Sequence, residues 1–306
     1  MLGGQLGVVG RVTTLLVPPR RGLSLRHAAT LGWGAGAGAV LAQIVFPLAD
    51  GALALTLGSV ALFALASVSH AVARFGPWRA AGLVTVAGGG GLLAELVGVA
   101  TGFPFGHYAY SGTLGWAIEG VPAVVPAAWT MMAYPALLVG RRLAGSVGRP
   151  AVVVVAAWAL ASWDVFLDPQ MVDAGHWRWT SPTPSLPGVS GIPLSNFAGW
   201  LLVALVMTAL LDRVLRGDGP DPRAGGGTAG GHAGDDRLPV ALYLWTYASS
   251  VLAHTVFFGR PSVALVGGVA MGLVAVPLAV DLRRHGFSGA PAAVDAAAVD
   301  TAGTDG

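Results

Sequence analysis

The chain contains no cysteine and no lysine, and only 10% of its residues are charged. Without thiols, cysteine catalysis, disulfides and thiolate metal sites are excluded. All seventeen basic residues are arginine. This bias reads as codon usage in a GC-rich genome and not as nucleic-acid recognition, because the formal charge is only +2. An ordinary soluble domain carries about 25% charged residues. Here 54% of the 306 residues are hydrophobic and the mean hydropathy is +0.68, which describes an integral membrane protein.

Apolar stretches long enough to cross about 30 Å of hydrocarbon occur at 28–48, 51–73, 80–100, 121–140, 150–168, 196–212, 238–258 and 262–281. They predict an all-α membrane domain over 28–282 with about eight transmembrane helices, since runs of some twenty residues satisfy their own backbone in lipid as helices. Residues 1–27 contain a short apolar run, Val12 to Val17, without the basic start and long apolar core of a cleavable signal peptide. They are expected to form a cytoplasmic or interfacial lead. The loop 217–237 and the tail 283–306 are rich in Gly, Ala, Pro and Asp, so both are expected to be disordered, with His232 as a solvated loop residue. Placing the N-terminus inside puts every arginine except Arg178 and Arg260 on the cytoplasmic side. The positive-inside rule therefore predicts a multi-pass cell-membrane protein with both termini cytoplasmic.

Two glycine-rich runs, Gly32 to Gly38 and Gly88 to Gly91, resemble phosphate-binding loops only superficially, for no Lys-Ser/Thr follows and no soluble strand precedes them. Close helix packing through small residues is the expected role.

Three of the fifteen acidic residues fall in Asp164 to Trp179, D-V-F-L-D-P-Q-M-V-D-A-G-H-W-R-W, at the end of an apolar run. A charge in the bilayer centre costs about 2.5–3.5 kcal/mol on insertion scales, so this segment is a functional-site candidate. The arginine pattern puts it on the outer side with the polar loops 101–120 and 169–195. Glu95 lies about 8 Å and Asp164 about 6 Å below the outer ends of their spans at 1.5 Å per residue. His254 is at similar depth, and Asn196 opens its span after Pro193 and an expected cap at Ser195. Glu95, Asp164, Asn196 and His254 are therefore expected to form one polar layer. Asp164 and Asp168, four residues apart, share a helix face, and Pro169 is expected to end that helix. Two adjacent carboxyls in an apolar setting oppose each other's ionisation, so one of them is expected to hold a proton.

Plainer readings stand beside these. Glu95 or Asp164 alone would serve as an interhelical hydrogen-bonding group. Asp173, His176 and Arg178 are as well suited to bracing a loop as to catalysis. His107 and His254 are candidates for structural histidines, and His70 is read as structural. Trp116, Trp129, Trp163, Trp177, Trp179, Trp200, Tyr108 and Tyr110 cluster toward the outer side. An interfacial belt explains about half of such a set; the rest would form a cation-tolerant wall, with Trp163, Phe166, Trp177 and Trp179 chosen for that role.

Four blocks carry a resemblance: Glu95 to Tyr110, Val121 to Pro135, Trp163 to Trp179 and Gly191 to Trp200. Together they resemble the membrane carotenoid 1,2-hydratases of the CruF type, which are similar to the bisanhydrobacterioruberin hydratases. The likeness covers about residues 30–282, with its specific matches within 95–200. It implies addition of water to the terminal C=C of an acyclic, lycopene-like or bisanhydrobacterioruberin-like carotenoid, giving a tertiary alcohol. Such chemistry needs a placed acid, a cation-tolerant wall and an ordered water, with neither metal nor redox cofactor. On this reading Asp164 is the proton donor, Asp168 its neighbour or a water-orienting base, and Glu95 the rival acid. Asp173, His176, His254 and Asn196 position water, while Trp163, Phe166, Trp177, Trp179, Tyr108 and Tyr110 contact substrate. The bilayer and other carotenoid-pathway enzymes are the expected partners, and the site is expected near the outer leaflet. A carotene cyclase, a membrane prenyltransferase binding Mg²⁺ at Asp164 and Asp168, and a proton-coupled transporter are the alternatives.

Overall fold

A computed structural model of the chain describes residues 21–49, 52–216 and 235–287. Expectations for the lead before residue 21, for residues 217–234 with His232, and for the tail after 287 lie outside the described residues. The rest forms eight long helices: α1 Arg21–Val45, α2 Leu53–Phe75, α3 Pro77–Thr101, α4 Val124–Ala144, α5 Arg149–Asp173, α6 Leu194–Val214, α7 Arg237–Phe257 and α8 Pro261–His285. α3 contains a π segment at Val84–Gly89, and α7 ends in another at Ala253–Phe257. Seven helices are long and apolar enough to cross a membrane. α4 is the exception. It has 21 residues but carries Thr130, Tyr134, Pro135, Arg141 and Arg142. Its residues from Trp129 to Gly140 are all buried, packed against α2 and α5, so this helix needs no lipid-like surface. The protein is thus an all-α membrane bundle. α1 is already helical at Arg21, earlier than the expected residue 28, and α8 continues to His285.

Ion pairs gather one set of helix ends. Arg74 at the end of α2 pairs with Asp236 before α7. Arg141 of α4 reaches Asp212 of α6 at 3.0 Å, with Arg216 and Arg149 on the same carboxylate. Arg142 reaches Asp281 of α8 at 2.6 Å. His70 belongs to this end as well, held between the Tyr134 hydroxyl at 2.7 Å and the Asp235 carbonyl at 2.8 Å, a structural position.

At the opposite end the loops after α3 and α5 pair with one another. β1 Tyr108–Tyr110 runs antiparallel to β4 Trp177–Trp179, with Tyr108 opposite Trp179 and Tyr110 opposite Trp177. Two further hairpins, β2 Ala117–Ile118 with β3 Val121–Pro122 and β5 Ser185–Leu186 with β6 Val189–Pro193, stiffen the same loops. These short strands were not anticipated. Their signal is the period-two alternation of Tyr-Ala-Tyr and Trp-Arg-Trp, which puts the aromatic residues on one face.

Two further helix boundaries differ from expectation. α5 passes through Pro169 and ends at Asp173. Proline removes one N–H and leaves the carbonyl of Val165 without its intrahelical donor, a loss membrane helices tolerate where neighbouring groups take up freed polar atoms. His254 Nε2 lies 3.1 Å from the next carbonyl oxygen, that of Phe166, and ties this turn of α5 to α7. α6 begins at Leu194 with Pro193 as its cap residue, so Ser195 is not the cap. The Leu194 N–H instead donates to the Pro184 carbonyl at 2.7 Å, a tertiary bond that makes a side-chain cap unnecessary.

Both glycine runs lie within helices. A Cβ on Gly36 would stand 2.9 Å from Leu238, and one on Gly91 only 2.4 Å from the Trp129 ring, so these positions permit close interhelical contact.

Candidate active site

α5 carries Asp164 and Asp168 on one face, one turn apart, 0% and 2% exposed. The first turn of α6 brings Asn196 between them. Its single side-chain amide donates to Asp164 Oδ2 at 2.7 Å and to Asp168 Oδ2 at 2.5 Å. Trp177 in β4 donates its indole N–H to the other oxygen of Asp168 at 3.1 Å. Asp164 Oδ1 is buried without a hydrogen-bond partner. One carboxyl oxygen in this cluster therefore has unused capacity.

Glu95 of α3 is the contrasting case. The Tyr108 and Tyr110 hydroxyls donate to its Oε2 at 2.5 and 2.9 Å, and the Trp129 indole donates to its Oε1 at 3.3 Å. Burial, together with the adjacent Glu95 carboxylate, raises both tyrosines above the ordinary phenol range, which keeps them protonated as donors. Both oxygens of Glu95 are thus occupied.

The same donors form an aromatic enclosure. Trp129 stacks on Trp200 with ring centroids 4.1 Å apart and planes 12° apart, and Trp200 meets Trp163 edge to face at 6.2 Å. Across the strand pair, Tyr108 packs on Trp179 at 5.7 Å and Tyr110 on Trp177 at 5.5 Å. Between these groups lies a cleft with about 670 Å³ of empty space, counting its open mouth. Glu95, Asp168 and Asn196 line it together with Phe105, Tyr108, Tyr110, Trp129, Trp177, Trp179 and Trp200. Asp164 does not; it sits behind Asp168. An acid set in a greasy aromatic wall is suited to protonating an apolar substrate and holding the cation that results, because ring faces attract positive charge.

Other candidates lie elsewhere. Trp163, Phe166 and His254 line a neighbouring cavity, so the expected polar layer divides, with His254 apart from the carboxylates. Asp173, at the end of α5, accepts from Arg260 Nε at 2.5 Å and ties α5 to the start of α8. His176 Nδ1 lies 2.7 Å from the Thr113 hydroxyl, and burial lowers this imidazole below its ordinary value. His107 is exposed, and its carbonyl accepts from the Thr180 N–H at 2.9 Å. None of these three lines the cleft. Sequence reasoning did not single out Trp129, Trp200 or Phe105 as site residues, although all three lie in or at the end of the blocks that carried the resemblance. Among the described residues no cluster of three or more His, Asp or Glu is arranged to hold a metal ion.

Comparison with known proteins matches residues 51–274 to the family described as carotenoid biosynthesis protein. Bisanhydrobacterioruberin hydratase of Haloarcula japonica is 34% identical over 124 residues, covering 39% of this chain and 40% of that relative. The aligned segment thus spans less than half of the curated relative. No solved structure matches the chain significantly.

Proposed function

The chain belongs to the carotenoid biosynthesis protein family, and on that premise we propose that it is a hydratase acting on the terminal double bond of an acyclic carotenoid. The observation that carries this reading is the buried Asp164, Asn196, Asp168 triad set against an aromatic cleft. Asp168 stands at the cleft wall and is the proton donor in this proposal; Asp164, sealed behind it, and Asn196, which donates to both carboxyls, hold it in place. The role expected for Asp164 from sequence thus passes to its neighbour, because only Asp168 reaches the cleft. Protonation of the less substituted alkene carbon leaves a tertiary cation. The faces of Trp129, Trp200 and Trp177 and the carboxylate of Glu95 stabilise it, and water captures it to give the tertiary alcohol. Glu95, which accepts three hydrogen bonds from the enclosure, holds Tyr108, Tyr110 and Trp129 in place.

The relative's name supports hydration over cyclisation, and the site proposed here lies at the outer end of the bundle, opposite the arginine-rich end. The test is a pigment profile from a host that accumulates an acyclic precursor, with and without this gene. A gene-dependent gain of one water per modified end supports the reading. A cyclised product without mass gain, or an unchanged profile, refutes it.

A further inference from the structure

Beside the aromatic cleft lies a second cavity with about 920 Å³ of empty space, counting its mouth, and the chemistry above leaves it unused. The two are separated by a single layer of residues that line both: Thr56 and Val60 of α2, Ala128 of α4, and Leu167 and Met171 of α5. The character of the second cavity is different. Ser59, Gln170, Thr246, Ser249 and Ser250 bring hydroxyl and amide groups to it from α2, α5 and α7. Ser59, Thr246 and Ser249 donate to carbonyls of their own helices, which leaves each hydroxyl oxygen able to accept a further hydrogen bond, a capacity that a passage for an isoprenoid chain has no need of.

His254 also lines this cavity and is 1% exposed. Its Nε2 lies 3.1 Å from the Phe166 carbonyl, which only accepts, so Nε2 carries the hydrogen and Nδ1 is an acceptor. Nδ1 is buried without a partner. The residue sits in the π segment of α7, a register break frequent at functional sites. Phe46, between α1 and α2, and Phe258, just after α7, pack edge to face at 6.2 Å on the same cavity, at the bundle end that carries the β1 and β4 pair.

We propose that the second cavity is a water-binding chamber that supplies the cleft across the partition at Thr56, whose hydroxyl is the one polar side chain among the shared residues. This inference rests on the hydratase reading. In that reaction the Asp168 proton and the alkene electron pair form a new C–H bond. A water lone pair then forms the C–O bond, and the resulting oxonium returns a proton to the Asp168 carboxylate. When water is withheld, the cation can only give a proton back to that carboxylate and re-form the alkene.

The experiment uses the full chain in lipid nanodiscs with an acyclic carotenoid precursor in D₂O. The variants are Thr56→Val, which keeps the shape of the partition, and Ser249→Leu, which fills the chamber without touching the cleft. The expected result is a fall in hydrated product of about tenfold or more while deuterium enters the recovered precursor at no less than the wild-type rate. Unchanged hydration in both variants overturns the proposal, as does a deuterium uptake that falls in step with hydration. A wild-type protein that neither hydrates nor exchanges would instead refute the hydratase reading.

Discussion

Replacing Asp168 by asparagine separates the acid from the scaffold around it. The side chain keeps its size but offers one acceptor oxygen where the carboxyl presents two, one to Asn196 at 2.5 Å and one to Trp177 at 3.1 Å. One of these buried donors is left unmet, at a cost of about 1–3 kcal/mol in stability. Loss of a general acid removes a further factor of about 10²–10⁴ in rate, or roughly 3–5 kcal/mol of barrier. The comparison is Trp177→Phe, which breaks the same indole bond but retains both an aromatic wall and the acid; it is expected to lose about tenfold at most. Both variants are assayed for hydrated carotenoid and for thermal unfolding in detergent. Asp168→Asn is expected to resemble Trp177→Phe in unfolding temperature and to fall far below it in rate. A rate for Asp168→Asn within tenfold of wild type, in a folded protein, refutes the assignment, and equal losses in the two variants would reduce Asp168 to a scaffold residue.

Gly91→Ala would place a Cβ 2.4 Å from Trp129 Cγ, driving the indole from Trp200 and Glu95. A loss of about 1–3 kcal/mol is expected in unfolding measurements, together with reduced hydration, whereas Gly90→Ala, with nothing within 4 Å of its Cβ, is expected to be silent. Asp212 is 6% exposed and faces Arg141, Arg149 and Arg216. Asp212→Asn should destabilise the fold by about 3 kcal/mol with the product unchanged, and an unaltered unfolding temperature would show that these ion pairs do not hold the helix ends together. Because the native chain has no cysteine, single cysteines report sidedness directly. Ser181→Cys, in the exposed loop after β4, should react with an impermeant maleimide on intact cells, and Val147→Cys, 72% exposed between α4 and α5, only after permeabilisation. The opposite pattern would move the site to the inner leaflet.

The helices were legible because their signal is local and additive: twenty apolar residues span a bilayer whatever surrounds them. α4 shows the limit of that signal, since a helix enclosed by its neighbours can carry Thr130, Tyr134 and Arg141 where a lipid-facing one cannot. Pro169 was misread for a related reason. Its local effect ends helices, whereas here α5, packed against its neighbours, continues through it to Asp173. The strands were missed because three-residue segments are stabilised by each other across a gap of some seventy positions.

Depth and spacing along single helices sufficed to bring Asp164, Asp168, Asn196 and Glu95 to one end of the molecule. Sequence by itself determined that much, along with the membrane setting, because burial in lipid acts on each segment independently. Which carboxyl meets the substrate was decided only in three dimensions. Asn196 bridges the acid pair from 28 and 32 residues away, and Trp129 reaches Glu95 from 34 residues away on another helix. Hydrogen bonds are directional over about 3 Å, so the rotation of each helix about its own axis, set by its packing partners, placed Asp168 at the cleft and Asp164 behind it.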